Sequence, residues 1–274
     1  PISLISCEGD NAIISISLQN PGPIQWQVSA DSGLTWVDLI DDGIYNGVHL
    51  ENLEIIGITL DYDDFRYRVQ LEFCTVPLVS EVMTISVLKN PNAGISGTRI
   101  FCIDDSPANL IDSLGGNPDT SGIWSPALSQ NNGIFDPRVD VAGRFTYRVE
   151  NGLCTPSESA ITVEVVQNPI IANIEVVEFS DNNSITVEVN GNGLYEYSIN
   201  GVDYQEGSFF NKLAPSAYTI YVRDTRACEI TTITAVILGY PKFFTPNNDG
   251  YNDFWNIEGI SDIQYTIEIY DRYG

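Results

Sequence analysis

Histidine occurs once in the 274 residues, at His49, and methionine once; Lys and Arg number 12 against 37 Asp and Glu, a formal charge of −25. Each shortage excludes something. One histidine leaves little for a zinc site or a Ser-His-Asp triad. So few cations argue against binding DNA or RNA, where each phosphate contact needs a Lys or Arg, and against anionic lipid. No acidic tail accounts for the charge. It is −10 over 1–91, −5 over 92–168, −6 over 169–239 and −4 over 240–274, so each stretch has its own acidic outer face. No apolar run approaches the ~18–20 residues of a membrane helix, so no transmembrane segment is predicted. Pro1-Ile2-Ser3-Leu4 holds neither an initiator Met nor a basic n-region, so a removed signal peptide or further preceding chain is expected.

Helical periodicity is nearly absent, and period-2 alternation recurs instead. Ile14, Ile16 and Leu18 alternate with Ser15 and Ser17; Ile161, Val163 and Val165 with Thr162 and Glu164; Ile185, Val187 and Val189 with Thr186 and Glu188; Tyr265, Ile267 and Ile269 with Thr266 and Glu268. Turn clusters such as Pro21-Gly22-Pro23, Asp42-Gly43 and Gly115-Gly116-Asn117-Pro118 separate these runs. The expectation is an all-β chain of tandem immunoglobulin-like β-sandwich modules at 1–91, 92–168 and 169–239, then an incomplete β module at 240–274. Lys89-Asn90-Pro91 and Gln167-Asn168-Pro169 punctuate the first two boundaries. Such short links favour a stiff rod over flexibly strung beads.

Five cysteines with no C-x-x-C spacing point to an oxidising compartment. A frame repeats around them. Cys7 precedes Glu8-Gly9-Asp10, and Cys74 follows Tyr67-Arg68-Val69 by five residues; Cys102 precedes Asp104-Asp105, and Cys154 follows Tyr147-Arg148-Val149 by five. The matched spacing predicts disulfides Cys7–Cys74 and Cys102–Cys154. Standard immunoglobulin topology puts these two positions at opposite ends of a sandwich, so the pairs require a modified topology. Cys228 is left over, either buried and inert or paired outside the chain.

Trp26 in Ile24-Gln25-Trp26-Gln27-Val28 sits where an immunoglobulin strand C carries its core tryptophan. Asp63-x-Phe65-x-Tyr67-x-Val69 resembles the strand-F signature, with Tyr67 as corner tyrosine and Val69 in the usual cysteine position. The Trp26–Trp36 hairpin resembles domains of large surface proteins of Bacteroidota. So does the second module, through Leu114-Gly115-Gly116-Asn117-Pro118 and Gly143-Arg144-Phe145-Thr146-Tyr147. The third, through Tyr195–Gly201 and Leu213–Asp224, resembles the SprB repeat of gliding-motility adhesins. Pro241-Lys242-Phe243-Phe244-Thr245-Pro246-Asn247-Asn248-Asp249-Gly250-Tyr251-Asn252-Asp253, with Ile269-Tyr270-Asp271-Arg272-Tyr273-Gly274, resembles the gliding-motility-associated C-terminal domain, the type B targeting domain of type IX secretion. This resemblance makes Phe244, Thr245, Pro246, Asn247, Asp249, Gly250, Asn252, Asp253, Asp271, Arg272 and Gly274 the signal motif. It implies passage through the type IX translocon, a cell-surface or extracellular location, and retention by an outer-membrane barrel of the PorP/SprF kind. The family's domain continues with further strands, so a truncated module is expected.

Catalysis is not expected. His49 lacks a partnering G-x-S-x-G or H-E-x-x-H, and pairs such as Asp41-Asp42 are sequence neighbours that a strand would face in opposite directions. No cofactor is expected, with calcium as the one exception. Asn247, Asp249 and Asp253 surround a turn glycine loosely like a calcium loop, and they equally suit side chains hydrogen-bonding a tight turn. Three roles remain: a surface adhesin or gliding-associated stalk with a glycan or protein ligand, a glycan-binding accessory region of a polysaccharide-degrading protein, or part of an enzyme whose catalytic domain lies upstream of Pro1. The glycan-binding reading would use exposed Trp36, Trp124 or Trp255, though packing is the commoner use of such residues.

Overall fold

The computed structural model describes the chain apart from residues 1, 19–21, 72–77, 131, 227, 252 and 260–274. Contacts divide it into two compact units, residues 1–97 with 109–134 and 144–162, and residues 98–108 with 135–143 and 163–274.

Nine strands lie within residues 2–88 of the first unit: β1 (Ile2–Cys7), β2 (Ala12–Ser15), β3 (Ile24–Ser29), β4 (Val37–Asp38), β5 (Tyr45–Asn46), β6 (Asn52–Ile55), β7 (Arg66–Leu71), β8 (Leu78–Val79) and β9 (Met83–Leu88). One sheet runs β1-β9-β7-β3-β4, with β8 also on β7; the other runs β2-β6-β5. β1 pairs with β9 in parallel, Ile2 opposite Met83 and Cys7 opposite Leu88. The remaining pairings of this sheet are antiparallel. This order is that of an immunoglobulin sandwich whose first strand has joined the C-F-G sheet.

Alternation builds the core directly. Ala12 and Ile14 are buried while Ile13 and Ser15 are exposed. Trp26 is fully buried opposite Val69, and its indole N–H donates to the Leu50 carbonyl at 2.8 Å. Val69 is buried as well. Tyr67 departs from a tyrosine corner: its hydroxyl meets that of Tyr45 at 3.3 Å rather than an upstream carbonyl. Burial pushes the Tyr67 phenol well above its ordinary pKa.

The middle strands are β10 (Gly97–Cys102), β11 (Ala108–Asn109), β12 (Ile123–Ser125), β13 (Ile134–Phe135), β14 (Gly143–Val149) and β15 (Ser157–Val166). They form sheets β10-β15-β14-β12 and β11-β13. Tyr147 on β14 donates its hydroxyl to the Asp119 carbonyl, 28 residues upstream, at 2.7 Å. Within the second unit, β16 (Ile170–Val177), β17 (Ser184–Asn190) and β19 (Phe209–Asn211) form one sheet. The other comprises β18 (Tyr195–Ser198), β20 (Ser216–Asp224) and β21 (Thr231–Ile237). Ile185, Val187, Ile220, Val222 and Ile237 form the core between them. Two 3-10 turns, Leu60–Tyr62 and Leu110–Ser113, are the only helical elements among the described residues. The alternating run at Tyr265–Ile269 lies outside them.

The predicted disulfides are corrected. Cys7 bonds Cys154, 147 residues away, and Cys102 bonds Cys228, 126 residues away; the Cα–Cα distances are 5.6 and 5.4 Å. Cys74 lies outside the described residues. The reason for the correction is strand direction. Cys102 ends β10 beside the finish of β15, where Ile103 N–H donates to the Val166 carbonyl. Cys154 precedes the start of β15, a 10-residue strand. At ~3.3 Å per residue that is about 30 Å, far beyond the ~7 Å Cα limit for a disulfide. Cys228, expected to be left over, is the partner Cys102 can reach.

Trp26→Ala should cost the N-terminal sandwich about 3–5 kcal/mol, through lost burial and a cavity. Chemical denaturation followed by near-UV signals checks this; a loss under about 1 kcal/mol would contradict a fully buried indole.

Candidate functional site

Two kinds of site emerge: the sequence joints at the disulfides and the segment after β21.

At the first joint, the Asn90 side-chain amide donates to the Glu8 carbonyl at 2.8 Å, next to Cys7. Asn151 accepts the Cys154 N–H at 2.9 Å and donates to the Lys89 carbonyl at 3.1 Å. Lys89 pairs with Asp119 at 2.9 Å, which holds the Asp119 carboxyl below its usual value. The second joint repeats the plan. Asn168 donates to Asp104 at 2.5 Å, two residues past Cys102, and Thr231 Oγ1 donates to the Pro169 carbonyl at 2.6 Å. Arg226 bridges Glu164 and Asp224. The Asp224 side chain is wholly buried. The Arg226 guanidinium, ahead of its backbone N–H, holds that carboxyl below the ordinary range against the cost of burial. Sequence reasoning missed these residues because Asn before Pro reads as turn chemistry; the signal was its recurrence at Asn90 and Asn168.

Beyond β21 the chain closes a loop upon itself. Gly239 and Glu258 exchange backbone hydrogen bonds at 3.1 and 2.8 Å. A Cβ on Gly259 (φ +94°) would fall 2.2 Å from the Ile237 carbonyl oxygen, so only glycine closes the loop there. Phe179, Tyr240 and Trp255 stack in sequence, centroids 5.9 and 6.1 Å apart. Trp255 makes this contact while remaining 36% exposed. Lys242 and Asp181 pair at 2.6 Å in solvent, where such a bond adds little.

Inside the loop, the carboxylates serve the backbone. Asp253 accepts from the N–H groups of Asn248 (2.6 Å) and Gly250 (2.8 Å). Asp249 accepts from Tyr251 N–H and the Asn247 amide, both at 2.8 Å, which together lower its pKa. Asn248 and Gly250 take left-handed backbone, φ 61° and 86°. Among the described residues no group of three or more His, Cys, Asp or Glu side chains is placed to hold a metal. Phe243, Phe244, Tyr251 and Phe254 are exposed around this loop. Asn252, Asp271, Arg272 and Gly274 of the motif lie outside the described residues. His49 is exposed, its Nδ1 2.9 Å from the Ile24 carbonyl oxygen.

A pocket of about 380 Å³ opens beside β12, lined by Trp124, Tyr147, Asn109, Thr120 and Asn132. Trp124 leans on Tyr147 at 4.8 Å, and the left-handed Gly133 leaves room at the indole nitrogen, 3.0 Å from where a Cβ would stand. Trp36 differs: the Arg68 guanidinium covers its ring at 4.1 Å.

Residues 238–274 match the CHU_C type IX secretion signal domain. No curated protein matches the chain. Solved structures similar to it include the three-domain I67–I69 fragment of titin, at 13% identity and TM-score 0.45, covering 86% of this chain and 95% of the fragment. Another is the N-terminal eight Ig domains of Down Syndrome Cell Adhesion Molecule, at 13% identity and TM-score 0.39, covering 86% of this chain and 40% of that one. The signal-domain match indicates export through the type IX system, to the cell surface or the extracellular medium.

Asp224 has a depressed folded pKa, so the stability it adds is complete above the unfolded carboxyl value of 3.8 and is lost as pH falls through the folded value. Asp224→Asn should remove that acid-sensitive component below about pH 4. At pH 7 it should cost roughly 3 kcal/mol, since Arg226 loses a buried partner. Denaturation curves at pH 7 and pH 3 measure both; equal losses at the two pH values would contradict the assignment.

Proposed function

We propose that the chain is part of a cell-surface adhesin or gliding-motility-associated protein of the Bacteroidota type. In this reading the sandwiches serve as a stalk. The segment from Gly239 serves as the address read by the type IX translocon and held by an outer-membrane barrel of the PorP/SprF kind. The supporting observation is the signal-domain match at 238–274, over a loop whose aromatic side chains face outward. The four-part division at 91/92, 168/169 and 239/240 belongs to this proposal, as does the absence of catalysis. Deleting the chain from Gly239 onward should leave the protein inside the cell or periplasm. Fractionation with surface labelling tests this, and undiminished surface display would overturn it.

Calcium stays a subsidiary proposal with Asn247, Asp249 and Asp253 as donors. Calorimetric titration with calcium chloride, against Asp253→Asn, tests it; no heat in the parent protein rejects it.

The pocket beside Trp124 favours a second reading, a glycan-binding accessory region. An indole next to amide side chains suits a sugar ring, which offers C–H groups to an aromatic face and hydroxyls to amides. Trp124→Ala should abolish saturable binding on a glycan array while Trp36→Ala preserves it, because Arg68 already occupies the Trp36 face. Absence of binding by the parent protein would remove this reading.

A further inference from the structure

The two disulfides overlap in sequence. Cys102 lies inside the ring closed by Cys7–Cys154, and Cys154 lies inside the ring closed by Cys102–Cys228. We propose that this overlap gives the stretch from Cys7 to Cys228 a mechanical function: a tether that survives any single backbone cut and limits its own extension.

Covalent connectivity alone gives this result. Hydrolysis of one peptide bond between Cys7 and Cys102 leaves the two sides joined through Cys7–Cys154. Hydrolysis between Cys154 and Cys228 leaves them joined through Cys102–Cys228. A cut between Cys102 and Cys154 is spanned by both bonds. Side-by-side bridges, Cys7–Cys74 and Cys102–Cys154, would leave the Asn90-Pro91 and Asn168-Pro169 links unprotected. The overlapping pattern covers both.

Extension follows from the same graph. With every sandwich unfolded, the shortest covalent route from Cys7 to Cys228 crosses one disulfide, runs about 50 residues back from Cys154 to Cys102, and crosses the other. At up to ~3.5 Å per residue that is about 180 Å, against about 770 Å for the same stretch after reduction. A protein held at the surface by its C-terminal segment would keep everything upstream attached after a nick. That last consequence rests on the export proposal, whereas the covalent claim does not.

The test places a recognition site for a sequence-specific protease, singly, in three exposed turns of the full chain: after Gly43, where a Cβ would meet nothing within 4 Å; after Val141, which is 83% exposed; and after Asn192 in an exposed turn. Free thiols are alkylated, the protein is digested, and gels are run with and without reductant. Each product should migrate as one species without reductant and as two with it. In Cys7→Ser/Cys154→Ser, only the cut after Gly43 should release a fragment without reductant. In Cys102→Ser/Cys228→Ser, only the cut after Asn192 should. Release of any fragment from the unsubstituted protein without reductant overturns the proposal, and that measurement does not depend on the variants folding. Failure of surface display with these gels unchanged would count against the export reading alone.

Discussion

Parallel pairing of β1 with β9 is the constraint on which the arrangement depends. A strand parallel to the last strand of its own sandwich finishes at the same end as that strand, and the chain leaves from that end. Cys7 therefore stands beside Leu88, with Glu8 N–H on the Leu88 carbonyl, and Cys102 stands beside Val166 in the same way. Cys154 precedes β15, a strand length from the end where Cys102 stands, so Cys102 bonds Cys228 and Cys154 bonds Cys7.

The polar groups at the joints follow from that placement. Backbone carbonyls around Pro91 and Pro169 find side-chain donors there. Asn90 and Asn168 turn their amides back to the residues just past Cys7 and Cys102, while Asn151 and Thr231 satisfy linker carbonyls at Lys89 and Pro169. Arg226 is the costlier device. Its partner Asp224 is fully buried, so the pair stabilises only while both charges remain; the Lys89–Asp119 pair at the first joint depends on the same ionisation but is more exposed and so more screened by solvent. The net charge of −25 makes each such cation valuable, since 12 basic residues serve the whole chain.

Much of the fold was legible because alternation reports burial directly: Ile14, Ile161 and Ile185 are buried on the strands their patterns predicted. Trp26 was legible as core because a large aromatic flanked by alternating apolar residues has few other places to go. The disulfides were half legible. Tyr67, Tyr147 and Tyr221 each precede a cysteine by seven residues, which made Cys74, Cys154 and Cys228 equivalent. Spacing cannot reveal that the reachable partner belongs to the neighbouring set of strands, and the geometric objection to intramodular pairing was the better guide. In the C-terminal loop the tight-turn reading of Asp249 and Asp253 was legible, since both accept backbone N–H groups; what was not legible was the pairing of donors, which depends on the left-handed turns at Asn248 and Gly250.

The most direct measurement is disulfide mapping of the purified, alkylated protein by mass spectrometry after non-reducing digestion. Linked peptides joining Cys7 to Cys154 and Cys102 to Cys228 are expected. Peptides joining Cys7 to Cys74, or Cys102 to Cys154, would contradict this pairing.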